Sequence, residues 1–315
     1  MDFVQGTSAL PIEGSSAVTI GFFDGVHRGH QAVIGRTVDV ARAEGLRPVA
    51  VTFDRHPLQT LSPGKVPPLL TTLRRRAALI EALGVETLFV LEFTDEVSRW
   101  EPEAFVDRVL VRGLAARHVV IGTNFTFGHR AAGNLGVLAD LGPAKGFGVE
   151  AVGLFKLDGR PVSSTSVREA LIEGDLGWPE AALGRRYAVE GAVIPGAGRG
   201  RGLGFPTANL RTPEGILLPG RGVYAGRVWH DGEAWPAAVN IGTNPTFGHE
   251  PLHLEAHLLG FDGALTGQIL TVEFWARLRD EIRFDSSASL VRQIAEDVQR
   301  TRKVVAASAG GKDPI

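Results

Sequence analysis

The stretch Ala17-Val18-Thr19-Ile20-Gly21-Phe22-Phe23-Asp24-Gly25-Val26-His27-Arg28-Gly29-His30 leaves this chain few ways to fold. Ala17 to Ile20 reads as a short buried strand, and Gln31 to Glu44 reads as a helix. A strand, a glycine-bearing turn and a helix start together aim backbone N–H groups at an anion. His27 and His30 lie three residues apart, about one helical turn, so both can project from one side. Imidazoles there donate hydrogen bonds to phosphate oxygens, more strongly as negative charge builds up in a transition state. Gly25 and Gly29 leave room for a ligand against the backbone, and Asp24 sits where a carboxylate can orient a nucleotide. Two other readings exist for so short a pattern. One is half of a zinc site, but no cysteine exists to complete it and no acidic partner follows at metal-ligand spacing. The other is a pair of surface histidines beside a tight turn.

Beyond this turn, strands alternate with helices. Strands are expected at Arg47–Phe53, Thr87–Leu91, His118–Gly122 and Val149–Leu154, with helices at Thr71–Leu83 and Glu101–Leu114. That alternation implies a mainly parallel sheet covered on both faces. Ligands of such sheets bind beyond the carboxyl ends of the strands, where Asp24 to His30, Asp54 to Pro57 and Thr123 to Arg130 lie. In the third of these, Asn124, Phe125 and Phe127 form either a stacking platform for a planar ring or a buried aromatic corner. Ser166 and Glu169 are spaced as a capping box. Ser163 to Thr165 and Arg168 go beyond a cap, because hydroxyls before a helix and an arginine in its first turn make a phosphate cradle.

A length of 315 residues makes two domains the default, and 44% hydrophobic content fills their cores. The character changes between Leu176 and Arg186, which places a boundary at 184/185. Tyr187–Ile194, Gly222–Trp229, Trp235–Gly242, His253–Leu259 and Gln268–Leu278 then read as the strands of a small antiparallel barrel. Asp285–Val304 reads as a closing helix with a Leu290, Ile294, Val298 stripe, and Ala306–Ile315 as a disordered tail. Gly196 to Gly202 alone would be a flexible basic linker, but Gly204-Phe205-Pro206-Thr207-Ala208-Asn209 follows. Thr207 and Asn209 offer hard oxygen ligands suited to Mg²⁺ beneath glycines that can fold over phosphates. His253, Glu255 and His257 share one face of a strand, as a weak metal triplet or a solvated face.

The complete absence of cysteine excludes disulfides and thiolate chemistry and fits a reducing cytoplasm. A net charge of −2 without a basic block disfavours nucleic acid, and no segment is apolar enough to be read as a membrane span. Met1–Gly14 has neither the basic nor the apolar region of a signal peptide.

The run from Gly21 to His30 resembles the His-x-Gly-His signature of the nucleotidyltransferase superfamily. More narrowly, it is similar to that of bacterial bifunctional riboflavin kinase/FAD synthetases. The resemblance continues in order. Gly122 to Gly128 is similar to the family's Gly-x-Asn/Asp-Phe-x-Phe-Gly element near nucleotide and flavin. Ser164, Thr165 and Arg168 match its Ser-Ser-Thr-x-x-Arg motif, which in the superfamily faces the histidine turn across ATP. The loop from Gly196 to Leu210 matches the kinase element almost letter for letter, and Val239 to Gly248 is similar to a further family loop. Two departures stand out: Arg55 where members have Pro-His-Pro, and Thr266 where tyrosine is common.

The resemblance implies an α/β Rossmann-like nucleotidyltransferase domain (1–184) and an all-β split barrel with a terminal helix (185–315). The barrel would phosphorylate riboflavin to FMN with MgATP, with Glu255 as base. The first domain would join FMN to the AMP part of ATP, giving FAD and pyrophosphate. ATP would lie against Phe23, Asp24, Gly25, His27, His30, Ser164, Thr165 and Arg168 in the first half. In the second it would meet Gly198, Arg199, Gly200, Gly204, Pro206, Thr207 and Asn209, the last two holding Mg²⁺. Arg279 to Phe284 resembles the region covering the flavin. Partners would be these small molecules rather than nucleic acid or membrane, and a homo-oligomer is compatible with this reading. Two alternatives stay open: a monofunctional kinase with a nucleotide-sensing first domain, and a flavin-binding protein without chemistry.

Overall fold

The computed structural model of the chain describes residues 1–196, 198–243 and 252–307. It comprises two compact units, one of Met1–Pro67 with Thr71–Ser163, the other of Pro68–Leu70 with the chain from Ser164 on.

The first unit is built on a six-stranded sheet of β1 (Asp2–Gln5), β2 (Ser16–Ile20), β3 (Arg47–Phe53), β4 (Thr87–Leu91), β5 (Ala116–Gly122) and β6 (Gly148–Val152). All pairings are parallel, in the order β1-β4-β3-β2-β5-β6. Every residue of β2 and β4 is buried, as unbroken apolar runs require when helices cover both faces. The helix Arg28–Glu44 packs on β2, β3 and β5 through Val33, Ile34, Val38 and Ala41, and ends at Gly45 in the left-handed region. Phe105, Val106, Leu110 and Leu138 fill the opposite face. The chain leaves β2 toward β3 and β4, then returns to β5 and β6 on the other side. The order therefore reverses at β2, and the turn that follows β2 is the histidine turn. Sequence reasoning missed β1, an exposed edge strand whose four residues carry no alternation to detect. A small hairpin, β7 (Lys156–Leu157) with β8 (Arg160–Pro161), completes this unit.

The second unit is a closed antiparallel barrel of β9 (Ala188–Ile194), β10 (Ala208–Arg211), β11 (Gly222–His230), β12 (Glu233–Gly242), β13 (His253–Leu258) and β14 (Ile269–Arg279). Its order is β10-β13-β12-β11-β14-β9. Five strands match the expected segments. The sixth, β10, hides in the tail of the glycine loop, where Ala208 and Leu210 alternate with Asn209. Leu254, Ala256 and Leu258 of β13 point inward with Val239, Ile241, Val272 and Phe274. The helices Ser164–Glu173 and Gly177–Leu183 belong to this unit, and Gly220 N donates to Leu171 O at 2.8 Å.

The terminal helix runs Ser287–Ala307 against β11, β12 and β14, with Ser286 Oγ accepting from Ser289 N at 3.2 Å as its cap. Its deepest residues are Asp297, Thr301 and Val305, one face at four-residue steps but mostly polar. Asp297 is reached by the Arg279 fork, Nε at 3.0 Å and Nη2 at 2.7 Å, and by Gln293 Nε2 at 3.2 Å. Removing the carboxylate leaves the largely buried Arg279 guanidinium with only the Asp280 carbonyl as acceptor among the described residues. Asp297→Ala should therefore cost about 3 kcal/mol of stability, read by denaturant unfolding. An unchanged midpoint would assign the helix's attachment to its apolar residues instead. The loop segment 244–248 and the tail 308–315 read from the sequence lie outside the described residues.

Candidate active sites

In the first unit, the sequence after β2 forms a contorted turn. Phe23, Gly25 and Val26 have φ of 54°, 78° and 41°. Glycine takes such values freely, whereas each of the other two costs about 1–3 kcal/mol. Asp24 is buried and faces into the fold: its Oδ1 accepts from Thr71 N at 3.0 Å and Thr71 Oγ1 at 3.1 Å. Thr71 Oγ1 in turn accepts from Gly25 N at 3.0 Å. Thr71 thus clamps the turn, and the cap of the helix Leu73–Glu81 is Thr72, whose Oγ1 accepts from Arg75 N. Phe23 is buried, with its ring edge-on to His30.

The turn delivers both histidines to the N-terminus of the helix Arg28–Glu44. His27 is its N-cap, with Nδ1 accepting from His30 N at 3.3 Å. Nδ1 is therefore unprotonated, so a neutral His27 carries its proton on Nε2. The two imidazoles stack, centroids 3.6 Å apart at 19°. Burial, then His27, then Arg76 hold the His30 pKa well below the ordinary value, because a second positive charge there is neither hydrated nor paired. His30 Nδ1 is buried without a hydrogen-bond partner among the described residues. A group neutral when folded but titrating near pH 6.5 when unfolded binds more protons in the unfolded chain. His30 should thus subtract stability as pH falls below about 6.5, levelling off at its lower folded pKa. A pH titration of the imidazole NMR signals checks this; His30 protonating at or above pH 6.5 would remove the expected loss.

Arg76 was not singled out by sequence reasoning. It is 1% exposed. Its Nη1 donates to Phe22 O at 2.5 Å and to Thr52 Oγ1 at 3.2 Å, and its guanidinium lies 4.2 Å above the Phe22 ring. In sequence it is one of three consecutive arginines on a helix, with nothing local to mark it from Arg74 and Arg75. Arg55 ion-pairs with Asp54 at 2.7 Å, and His56 caps the short helix Pro57–Leu61. Phe127 is buried against Phe105, Phe125 stacks on it at 5.7 Å, and Asn124 is exposed.

In the second unit, the helix predicted near Ser166 begins at Ser164. Ser166 therefore lies inside its first turn rather than capping it, and its Oγ accepts from Trp178 Nε1 at 3.3 Å. Ser164 is half-buried and Thr165 exposed at the helix start. Arg168 is buried, and its Nε donates to Pro68 O at 2.7 Å.

The barrel carries two cavities. One, of about 330 Å³, is lined by Gly196, Gly198, Pro206, Thr207, Asn209 and Thr266, among others. The other, of about 340 Å³, is lined by Leu203, Thr207, Asn240, Glu255, Arg279, Phe284, Leu290 and Ile294, among others. Thr207 belongs to both. Residues Arg199–Gly202 form one helical turn, closed by Gly200 O accepting from Phe205 N at 2.8 Å, so this stretch is folded rather than a linker. Gly204 follows with φ 85°. A methyl group on Gly196 would clash with Asn209 Nδ2, so glycine is what lets the amide lie there.

Glu255 sits between two asparagines, opposite Asn209 on β10 and Asn240 on β12. Directly paired residues share a face, so a carboxylate and two amides form one row outside the barrel. His253 Nε2 lies 3.9 Å from Glu255 Oε1. His257 Nδ1 donates to Pro206 O at 2.7 Å, tying β13 to the loop that carries Thr207. The sequence shows His257 only as one of three polar alternations. Arg279, Glu281, Ile282 and Phe284, expected to cover a flavin, line the second cavity.

A helix N-terminus thus carries two stacked imidazoles, and on the barrel a hydroxyl lines two adjoining cavities, one of which also holds a carboxylate; the matches of the two halves define a two-activity transferase. Residues 10–166 match the FAD synthetase family and residues 183–305 the riboflavin kinase family. The chain is 40% identical over 311 residues to the bifunctional riboflavin kinase/FMN adenylyltransferase of Pseudomonas fluorescens, covering 98% of this chain and 99% of that one. It is 35% identical over 291 residues to the Bacillus subtilis enzyme of the same name, covering 91% and 92%. A crystal structure named as a macrolide-efflux protein from Streptococcus pneumoniae is also similar, with TM-score 0.88, 27% identity and coverage of 96% and 99%. In this chain no helix among the described residues is long and apolar enough to cross a membrane. The chain belongs to the bifunctional riboflavin kinase/FMN adenylyltransferase family. It phosphorylates riboflavin to FMN in the second half and adenylylates FMN to FAD, releasing pyrophosphate, in the first.

Proposed function

We propose that Glu255 is the general base of riboflavin phosphorylation and that His27 and His30 stabilise phosphate charge during adenylyl transfer. The observation that carries the first assignment is Glu255 in the second cavity beside Thr207, which also lines the first. The apolar second cavity suits a flavin ring, held by Ile282, Phe284, Leu290 and Ile294. The glycine-lined first cavity suits the ATP phosphates, with Gly198, Arg199, Gly200, Gly204 and Pro206 shaping the loop around them. Glu255 takes the proton of the terminal ribityl hydroxyl as that oxygen bonds to the γ-phosphorus and the bond to the β-phosphate oxygen breaks.

Thr207 and Asn209 fit Mg²⁺. Both are hard oxygen donors on the ATP cavity, and Gly196 leaves the space that the Asn209 amide occupies. Bound there with ATP, the ion supplies charge neutralisation of the phosphates.

In the first half, an FMN phosphate oxygen bonds to the α-phosphorus of ATP while pyrophosphate leaves, so no protein nucleophile is needed. The His27 Nε2–H and the helix N-terminus meet the growing negative charge. Phe23, Asp24 and Gly25 set the turn, and Asn124, Phe125 and Phe127 serve the flavin or nucleotide loop. Ser164, Thr165 and Arg168 are assigned to ATP by the family motif. The functional boundary is placed at 184/185, supported by the kinase match beginning at residue 183 and by Gly184 ending a helix. A cytoplasmic location is supported by the cysteine-free sequence. Nucleic acid and membrane are not proposed as partners, and self-association is compatible with this assignment.

A chromatographic time course with riboflavin, ATP and Mg²⁺ tests the reading. FMN should rise and give way to FAD, and chelation of Mg²⁺ should stop the first step. FMN formation undiminished by chelator would remove Thr207 and Asn209 from metal binding.

A further inference from the structure

We propose that Arg76 is the positioning residue of the adenylyl-transfer turn, its buried guanidinium fixing the Phe22 carbonyl and so the strained backbone that aims His27 and His30. This rests on the assignment of adenylyl transfer to those two histidines.

A fully buried arginine is costly and persists only where fixed partners compensate it. Arg76 keeps its charge at neutral pH, although burial lowers its pKa to about 10 against the opposing field of Asp24. Its partners all belong to the turn or to the strand end beside it. The Phe22 carbonyl takes one hydrogen bond from Nη1, and Thr52 Oγ1 takes another while itself donating to Phe22 O at 3.1 Å. The Phe22 ring lies beneath the guanidinium and meets His56 edge-on at 4.8 Å. That row links the histidine turn to the loop after β3.

Phe22 immediately precedes the three residues of positive φ. Such a turn holds only if its surroundings over-determine it. Thr71 pins its middle through Asp24 and Gly25, and Arg76 pins its start. Both come from one short segment, the helix Leu73–Glu81 and the residues just before it. Arg76 makes no contact that requires a substrate, so it acts through the turn. Its charge has a second consequence. The charged or titratable groups facing His30 are His27 from its own helix and Arg76 from the neighbouring one, and both oppose a positive His30. Lysine would keep the charge but lose the planar face that lies over the Phe22 ring while Nη1 bridges carbonyl and hydroxyl.

The test uses the full-length chain with Arg76→Lys and Arg76→Met, supplied with FMN, ATP and Mg²⁺. Misaiming a reacting group by about 1 Å costs about 100-fold, so FAD-forming kcat should fall by about that factor in both variants. KM for ATP should stay near the parent value, because the phosphate-binding groups remain. In imidazole NMR titrations, Arg76→Met should move His30 protonation to higher pH, and Arg76→Lys should move it less. If Arg76→Met does not fold, Arg76→Lys carries the test alone.

A kcat within about twofold of the parent in the folded variant overturns the proposal. So does a loss that disappears on cooling, which marks simple destabilisation, or a loss with unaltered His27 and His30 resonances. His27→Ala is measured alongside. If it forms FAD normally, the underlying assignment has failed; if it does not while the Arg76 variants do, only the positioning role has failed.

Discussion

Glu255→Gln should stop FMN formation while leaving riboflavin binding intact. The substitution keeps the size of the side chain and its place between Asn209 and Asn240. It removes only the ability to accept a proton. General bases of this kind contribute about 10²–10⁴-fold, so kcat should fall within that range while riboflavin still enters the second cavity. Flavin fluorescence measures binding, and chromatography measures turnover. FAD formation from supplied FMN should be unaffected, because the first half carries that step. Unchanged FMN production by the variant would reduce Glu255 to a polar residue on a strand face. Loss of flavin binding together with turnover would make it a binding group instead.

His27→Ala should stop the chain at FMN. His27 contributes a cap to its helix and, in its neutral form, an Nε2–H. The cap is worth about 1 kcal/mol and the donor about 10²–10³-fold in rate. His27→Asn separates the two: asparagine caps a helix well but offers no imidazole donor. FAD synthesis should be lost in both variants, and thermal stability in the alanine variant alone. Recovery of FAD synthesis in His27→Asn would show that only the helix start matters, and the role of charge stabilisation would pass to His30 and the backbone.

Much of this was legible in the sequence, for identifiable reasons. β2, β3 and β4 announced themselves because buried parallel strands are unbroken apolar runs. The histidine turn and the glycine loop were legible because their chemistry is local: each is one contiguous stretch with spacing that physics restricts. What escaped was assembled from afar. Thr71 meets Asp24 across 47 positions, Arg76 meets Phe22 across 54, and His257 meets Pro206 across 51. No local pattern marks such pairs. The terminal helix shows the same limit from another side. Its apolar period predicted Leu290, Ile294 and Val298 as the buried stripe, yet the deepest residues are Asp297 and Thr301. A hydrophobic pattern ranks a carboxylate last, and only a partner as distant as Arg279 makes it an interior residue. The single-turn fold of the glycine loop also escaped, since a glycine at every second position cancels the helix preference of the arginines.

The alternation of β13 divides its residues into two registers that answer to different selection. Even-numbered positions, Leu254, Ala256 and Leu258, are constrained by volume, because they fill the closed interior. Odd-numbered positions, His253, Glu255 and His257, are constrained by charge and hydrogen bonding, because they stand outside. The barrel can therefore repack its inside without rewriting the polar row it presents outside. A redesign of that polar row can likewise proceed without reopening the core.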